Sequence, residues 1–114
     1  MTFDENELNM MFGDDPEIYE EIFSDFADTY KEMLEAVSVA VNDKNAEALQ
    51  ISAHTLKGVL ATFCSTTAKD ISFKLEEMGK DSIFDGVDEL YSSLEKEVEA
   101  LINELKSFSF KKAA

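Results

Sequence analysis

The residues best equipped for chemistry stand together in Ala53-His54-Thr55-Leu56-Lys57-Gly58, which holds the chain's one histidine. On a helix, Lys57 and Gly58, three and four positions further on, are neighbours of His54 on one face. An imidazole is largely unprotonated at neutral pH, and its free ring nitrogen attacks phosphorus without a dedicated base. Lys57 would then neutralise the added anionic group as a point charge. Gly58 leaves the imidazole uncovered and lets another protein bring its own active site close. A glycine inside a helix costs about 0.5–1 kcal/mol relative to alanine, so Gly58 needs a reason. Gly13, Gly79 and Gly86 fall at predicted helix ends, where that cost does not arise. Gln50, Ile51 and Ala61 complete the patch around the ring, while Leu49, Ala53, Leu56 and Leu60 turn toward the core. The spacing therefore predicts a solvent-exposed His54.

Charge placement favours the same patch. Residues 48–69 contain no acid, whereas residues 1–35 hold twelve acids and one lysine. Such a gap in an acidic chain suits a site that must accept an anionic phosphoryl group. Other candidates are weaker. Cys64 follows a phenylalanine expected to be buried and has no second histidine to activate it, so it reads as an inert thiol. Phe23, Phe26, Phe63 and Phe73 read as core rather than as a stacking platform. Asp14-Asp15, Glu20-Glu21 and Glu76-Glu77 read as solvated faces, and no Glu-x-x-His pair exists to build a dimetal site in a bundle. No metal-ligating set is therefore expected.

The elements that must hold this patch are helices. Four glycines and one proline in 114 residues are too few for the turns a sheet requires. From Pro16 to about Asn42, Ile18, Ile22, Phe26, Tyr30, Met33, Val37 and Val41 recur at helical spacing, and Asp15 before Pro16 suits a capped start. A second helix spans about 46–62 with Leu49, Ala53, Leu56 and Leu60 inward. A third spans about 67–79, with Thr67 and Asp70 resembling a capping box, Ala68, Ile71, Leu75 and Met78 as its stripe, and Gly79 as its stop. A fourth spans about 86–107 through Val87, Leu90, Leu94, Val98, Leu101 and Leu105. A short additional helix over about 4–12 precedes them, with Leu8 and Phe12 covering one end, and Lys111 to Ala114 read as a fraying tail. Four amphipathic segments with short connections bury their stripes only against one another. The expected fold class is all-α, an antiparallel up-down four-helix bundle in one domain over 1–114.

Composition removes several classes of function. Twenty-five acids against ten lysines give a formal charge of −15, which repels phosphate backbones and anionic lipid, so nucleic acid and membrane are not expected partners. One cysteine excludes an internal disulfide, and no apolar run approaches the roughly 20 residues of a membrane span. The start lacks the basic and apolar blocks of a signal peptide, and a cytoplasmic monomer is expected.

With these residues in place, the sequence resembles the histidine-containing phosphotransfer (HPt) family, the relay modules of multistep two-component signalling. Ala53-His54-Thr55-Leu56-Lys57-Gly58 matches the family's signature, Phe63 falls at its apolar position, and Leu75-Glu76 at the Leu-Glu pair of the following helix. The Asp-Asp-Pro-Glu start of the first long helix and the Asn-Asp-Lys-Asn connection before the histidine helix are similar too, so the likeness covers roughly Phe12 to Leu105. The resemblance implies a four-helix bundle with an extra N-terminal helix. It implies that His54 takes a phosphoryl group from a receiver-domain aspartate and passes it to another response-regulator receiver, with Lys57 stabilising phosphate and Gly58 giving access. A hybrid histidine kinase is an implied partner, and no cofactor is implied because the receiver supplies the magnesium site. Two departures stand out: Val59 and Leu60 replace small residues, and Cys64 replaces a frequent glycine in the turn after Phe63.

Two other readings compete. A histidine kinase's dimerisation domain also carries a phosphorylated histidine on a helical hairpin, but an acid normally follows that histidine, and here Thr55 does. No nucleotide-binding domain fits the remaining length, so a stoichiometric carrier is expected rather than an enzyme. The alternative within the same fold is a binding module that docks a signalling partner without phosphotransfer.

Overall fold

A computed structural model describes residues 2–108, and the expected tail, Lys111 to Ala114, lies outside them. Five helices follow one another: α1 (Glu5–Phe12), α2 (Pro16–Asn42), α3 (Ala46–Thr62), α4 (Thr66–Asp81) and α5 (Val87–Lys106). No strand occurs among the described residues. Helices α2 to α5 pack in sequence and α5 closes the ring against α2, so α2 and α4 face each other diagonally, as do α3 and α5. Three-residue links before α3 and α4 and a five-residue link before α5 force neighbours to run antiparallel. The result is an elongated bundle, 51 × 21 × 19 Å.

Local chemistry sets most helix starts. Asp4, Asp15 and Asn45 each accept a hydrogen bond from a first-turn N–H, those of Glu7, Ile18 and Ala48, and Pro16 needs no donor at its position. The core runs the length of the bundle through Leu34, Val37, Leu49, Leu56, Leu60, Leu75, Leu94, Val98 and Leu101, all buried. At one end, Phe63 stacks on Phe26 with ring centroids 5.1 Å apart, and Leu8 and Phe12 of α1 close over that end. Tyr19, Tyr30 and Tyr91 tie α2 to α5 by bonding Leu105 O, Glu99 and Leu34 O.

The structure corrects four expectations. The Thr67–Asp70 capping box does not form: α4 starts at Thr66 after Ser65, whose hydroxyl donates to the Thr2 carbonyl at 2.7 Å and so anchors the N-terminal arm. Gly79 does not stop α4. It lies buried within the helix, and the chain turns instead at Ser82, which adopts a left-handed conformation with φ 55°. The stripe of α4 is also shifted: Ala68, Ser72, Leu75 and Gly79 are buried, with Ile71 and Met78 half-buried beside them. Ile18 is exposed and Tyr19 takes its inward place, because the long ring reaches the α5 backbone and the aromatic end of the core.

Small residues on α4 have a packing consequence. A side-chain carbon on Gly79 would lie 2.5 Å from the Gln50 nitrogen and 2.7 Å from the Ala46 carbonyl oxygen, so α4 and α3 meet backbone to backbone. Cys64, at φ 59°, occupies a left-handed position in the α3–α4 turn, which explains why glycine suits that site.

Candidate functional site

His54 projects from the middle of α3 with its side chain 66% exposed. Its Nδ1 lies 3.0 Å from Glu76 Oε2 on α4. Glu76 is 17% exposed, and its other oxygen, Oε1, stands 2.7 Å from Lys57 Nζ. One carboxylate thus holds the imidazole with one oxygen and the ammonium with the other. Burial alone would push the Glu76 carboxyl up; the hydrogen bonds and charges of Lys57 and His54 outweigh it and hold it below its ordinary value. An ionised carboxylate only accepts, so Nδ1 facing it is the ring's donor and Nε2 keeps its lone pair. Nε2 has no hydrogen-bond partner among the described residues.

Lys57 extends across α4, with its ammonium 5.0 Å from the centroid of the Phe73 ring. Phe73 is therefore not a core residue: it is 46% exposed beside the site, because α4 turns Ser72 inward in its place. Gly58 is exposed, and a side-chain carbon there would meet nothing within 4 Å. Nothing in the fold requires a glycine at this point.

A shallow groove of about 470 Å³ runs past the imidazole, lined by Glu47, Gln50, Ile51, His54, Thr55 and Glu76. Through Ile51 and Thr55 it continues into a more apolar groove of about 340 Å³ against α2, whose walls include Met33 and Ala36. The structure thus brings Gln50 and Ile51 together with His54, Lys57 and Gly58. Ala61 stands apart, two turns along, in a separate hollow with Glu7, Cys64 and Ser65. Val59 is half-buried against the core and lines neither groove.

The absence of acids in residues 48–69 is not an absence in space. Glu47 borders that window and Glu76 crosses to it from α4, so two carboxylates line the histidine groove. Glu76, expected on a solvated face, is the site residue that sequence reasoning missed. Cys64 is buried, and desolvation, then Glu7 and Asp4, push its thiol up and disfavour the thiolate. No group of three or more His, Cys, Asp or Glu side chains converges among the described residues. No described helix is long and apolar enough to cross a membrane.

An exposed histidine anchored at Nδ1, with a lysine three residues on and an open glycine next to it, sits within the region that a family model for the Hpt domain matches, residues 21–107. The chain belongs to the Hpt domain family. Its fold agrees with that of another Hpt protein: the crystal structure of histidine-containing phosphotransfer protein B (HptB) from Pseudomonas aeruginosa PAO1 superposes with a TM-score of 0.86. The two are 20% identical, and the match covers 93% of this chain and 92% of HptB, so the likeness is one of fold. No curated protein matches this Hpt chain significantly.

Proposed function

We propose that this Hpt domain is a stoichiometric phosphocarrier of a two-component phosphorelay, acting in the cytoplasm as a monomeric single domain. The anchored, exposed imidazole carries the reading: Glu76 holds His54 by Nδ1 and leaves the Nε2 lone pair facing solvent. In that pose Nε2 attacks the phosphorus of a receiver's aspartyl phosphate, the acyl P–O bond breaks, and the aspartate leaves as carboxylate. Transfer to the next receiver is the reverse step. Lys57, already at the site, neutralises the incoming dianion. Gly58, Gln50 and Ile51 form the surface against which a receiver docks, with Ala61 at its far margin, and the receiver brings its own magnesium site.

Incubation with a phosphorylated receiver, followed by intact-mass measurement of wild type and His54→Gln, tests this. A phosphoryl increment on wild type alone is expected. No increment with several receivers would favour a docking module of the same fold that performs no transfer.

A further inference from the structure

The geometry points to Phe73 as the residue that keeps the Lys57 ammonium at the site while the phosphoryl group arrives and leaves. On the relay reading, on which this rests, Lys57 serves two anions in turn: Glu76 in the resting protein, and the dianionic phosphoryl group once it sits on His54. A lysine side chain turns about several bonds, and an ammonium free to sample them would lose that freedom anew at each transfer. Glu76 supplies one anchor, with Oε1 at 2.7 Å from Nζ. That anchor also opposes the chemistry, because carboxylate and phosphoryl group compete for one cation.

Phe73 holds the same ammonium without competing for it. The ring centroid lies 5.0 Å from Nζ, inside the roughly 6 Å over which an aromatic face attracts a cation. A phenyl ring carries no net charge, so an ammonium can rest on its face and still direct its N–H bonds at an anion on the other side. The position of the ring on α4 fits this role better than a role in packing. Ser72 and Leu75 turn inward, while Phe73 stays 46% exposed and outside the hydrophobic core. Lys57, half-buried, fills the space between that ring and the Glu76 carboxylate, and Gly58 beside it adds no side chain that could displace it. Phe73 is a positioning residue: it acts through Lys57 and touches no transferred atom.

The test needs no receiver, which separates an effect through Lys57 from a direct contact between Phe73 and a docking partner. Potassium phosphoramidate phosphorylates imidazole nitrogen: the Nε2–P bond forms as the P–N bond of the reagent breaks and ammonia leaves. The rate of labelling is followed by intact mass in wild type, Phe73→Leu and Phe73→Trp, and again with each change made on Lys57→Met. Leucine keeps apolar bulk but has no π face, so Phe73→Leu should label about two- to fivefold more slowly, the size of one partly exposed cation–π contact. Phe73→Trp, with the stronger face, should label at least as fast as wild type. On Lys57→Met, neither change should alter the rate. A wild-type rate in Phe73→Leu, a tryptophan variant as slow as the leucine one, or an equal loss with and without Lys57 would each overturn the proposal. Proton NMR of the Lys57 ε-methylene is the second readout, since an aromatic face shifts protons above it upfield. An upfield position in wild type that is lost in Phe73→Leu supports the assignment, and an ordinary position in wild type overturns it. Failure of receivers to phosphorylate His54 would strike the relay reading and leave both of these measurements standing.

Discussion

Gly79 and Gln50 touch through their backbones, since a side-chain carbon on Gly79 would lie 2.5 Å from the Gln50 nitrogen. Gln50 stands one turn before His54, and Gly79 stands nearly one turn after Glu76. The approach of the two helices at this point therefore sets the 3.0 Å contact between His54 and Glu76.

Gly79→Ala should consequently damage both stability and site. Backbone atoms of α3 cannot swing aside as a side chain would, so the helices must part, at a cost of about 1–3 kcal/mol. Urea unfolding measures the first effect and the His54 ring nitrogen signals the second. An unchanged midpoint would show that the two helices separate freely and that the close approach is incidental.

Gly58 predicts the opposite balance. Open space surrounds it, so Gly58→Ala should stabilise α3 by about 0.5–1 kcal/mol, the helix-propensity difference. Gly58→Leu should also fold, because nothing is displaced, yet slow phosphoryl transfer by crowding the face on which a receiver docks. Transfer by Gly58→Leu at the wild-type rate would remove steric access as the reason for this glycine.

Lys57 is held between the Glu76 carboxylate and the Phe73 ring. Lys57→Ala should weaken transfer by about 1–2 kcal/mol of transition-state stabilisation, the usual size of a charge-assisted contact, while leaving the fold intact. Single-turnover transfer rates with circular dichroism as a control check this. A wild-type rate would take Lys57 out of the mechanism.

What the sequence made legible was local. Asp15, Pro16 and Asn45 mark their helix starts by short-range hydrogen bonding, and the apolar spacing in α2 and α3 places their ends at Asn42 and Thr62. The signature around His54 is equally local, lying within two turns of one helix. Glu76 and Gly79 were hidden because their meaning depends on a second helix. A glycine within a helical pattern reads as a stop until a neighbouring backbone occupies the space beside it. A Glu-Glu pair reads as solvated until one member is known to face α3. Two signals were present: Leu75-Glu76 stands at the family's Leu-Glu pair, and Ala68, Leu75 and Gly79 share a face with Glu76 at its edge. Phe73 misled for the converse reason, since Ser72 and not the aromatic ring fills the inward position where the helices are close.

The pH dependence of stability follows from Glu76. Burial raises its carboxyl, but the hydrogen bonds and charges of Lys57 and His54 prevail and leave it below the ordinary glutamate value. A group depressed in the folded state contributes stability that is fully present above its unfolded pKa, and that contribution is lost as pH falls through the folded one. The advantage of wild type over Glu76→Gln should therefore shrink as pH falls below the ordinary glutamate range and the folded carboxylate takes up its proton. Denaturant unfolding of both proteins across that fall in pH measures it. An advantage that grows on acidification would mean that the neutral carboxyl is the better-held form, and that Lys57 and His54 do not together outweigh the cost of burying the charge.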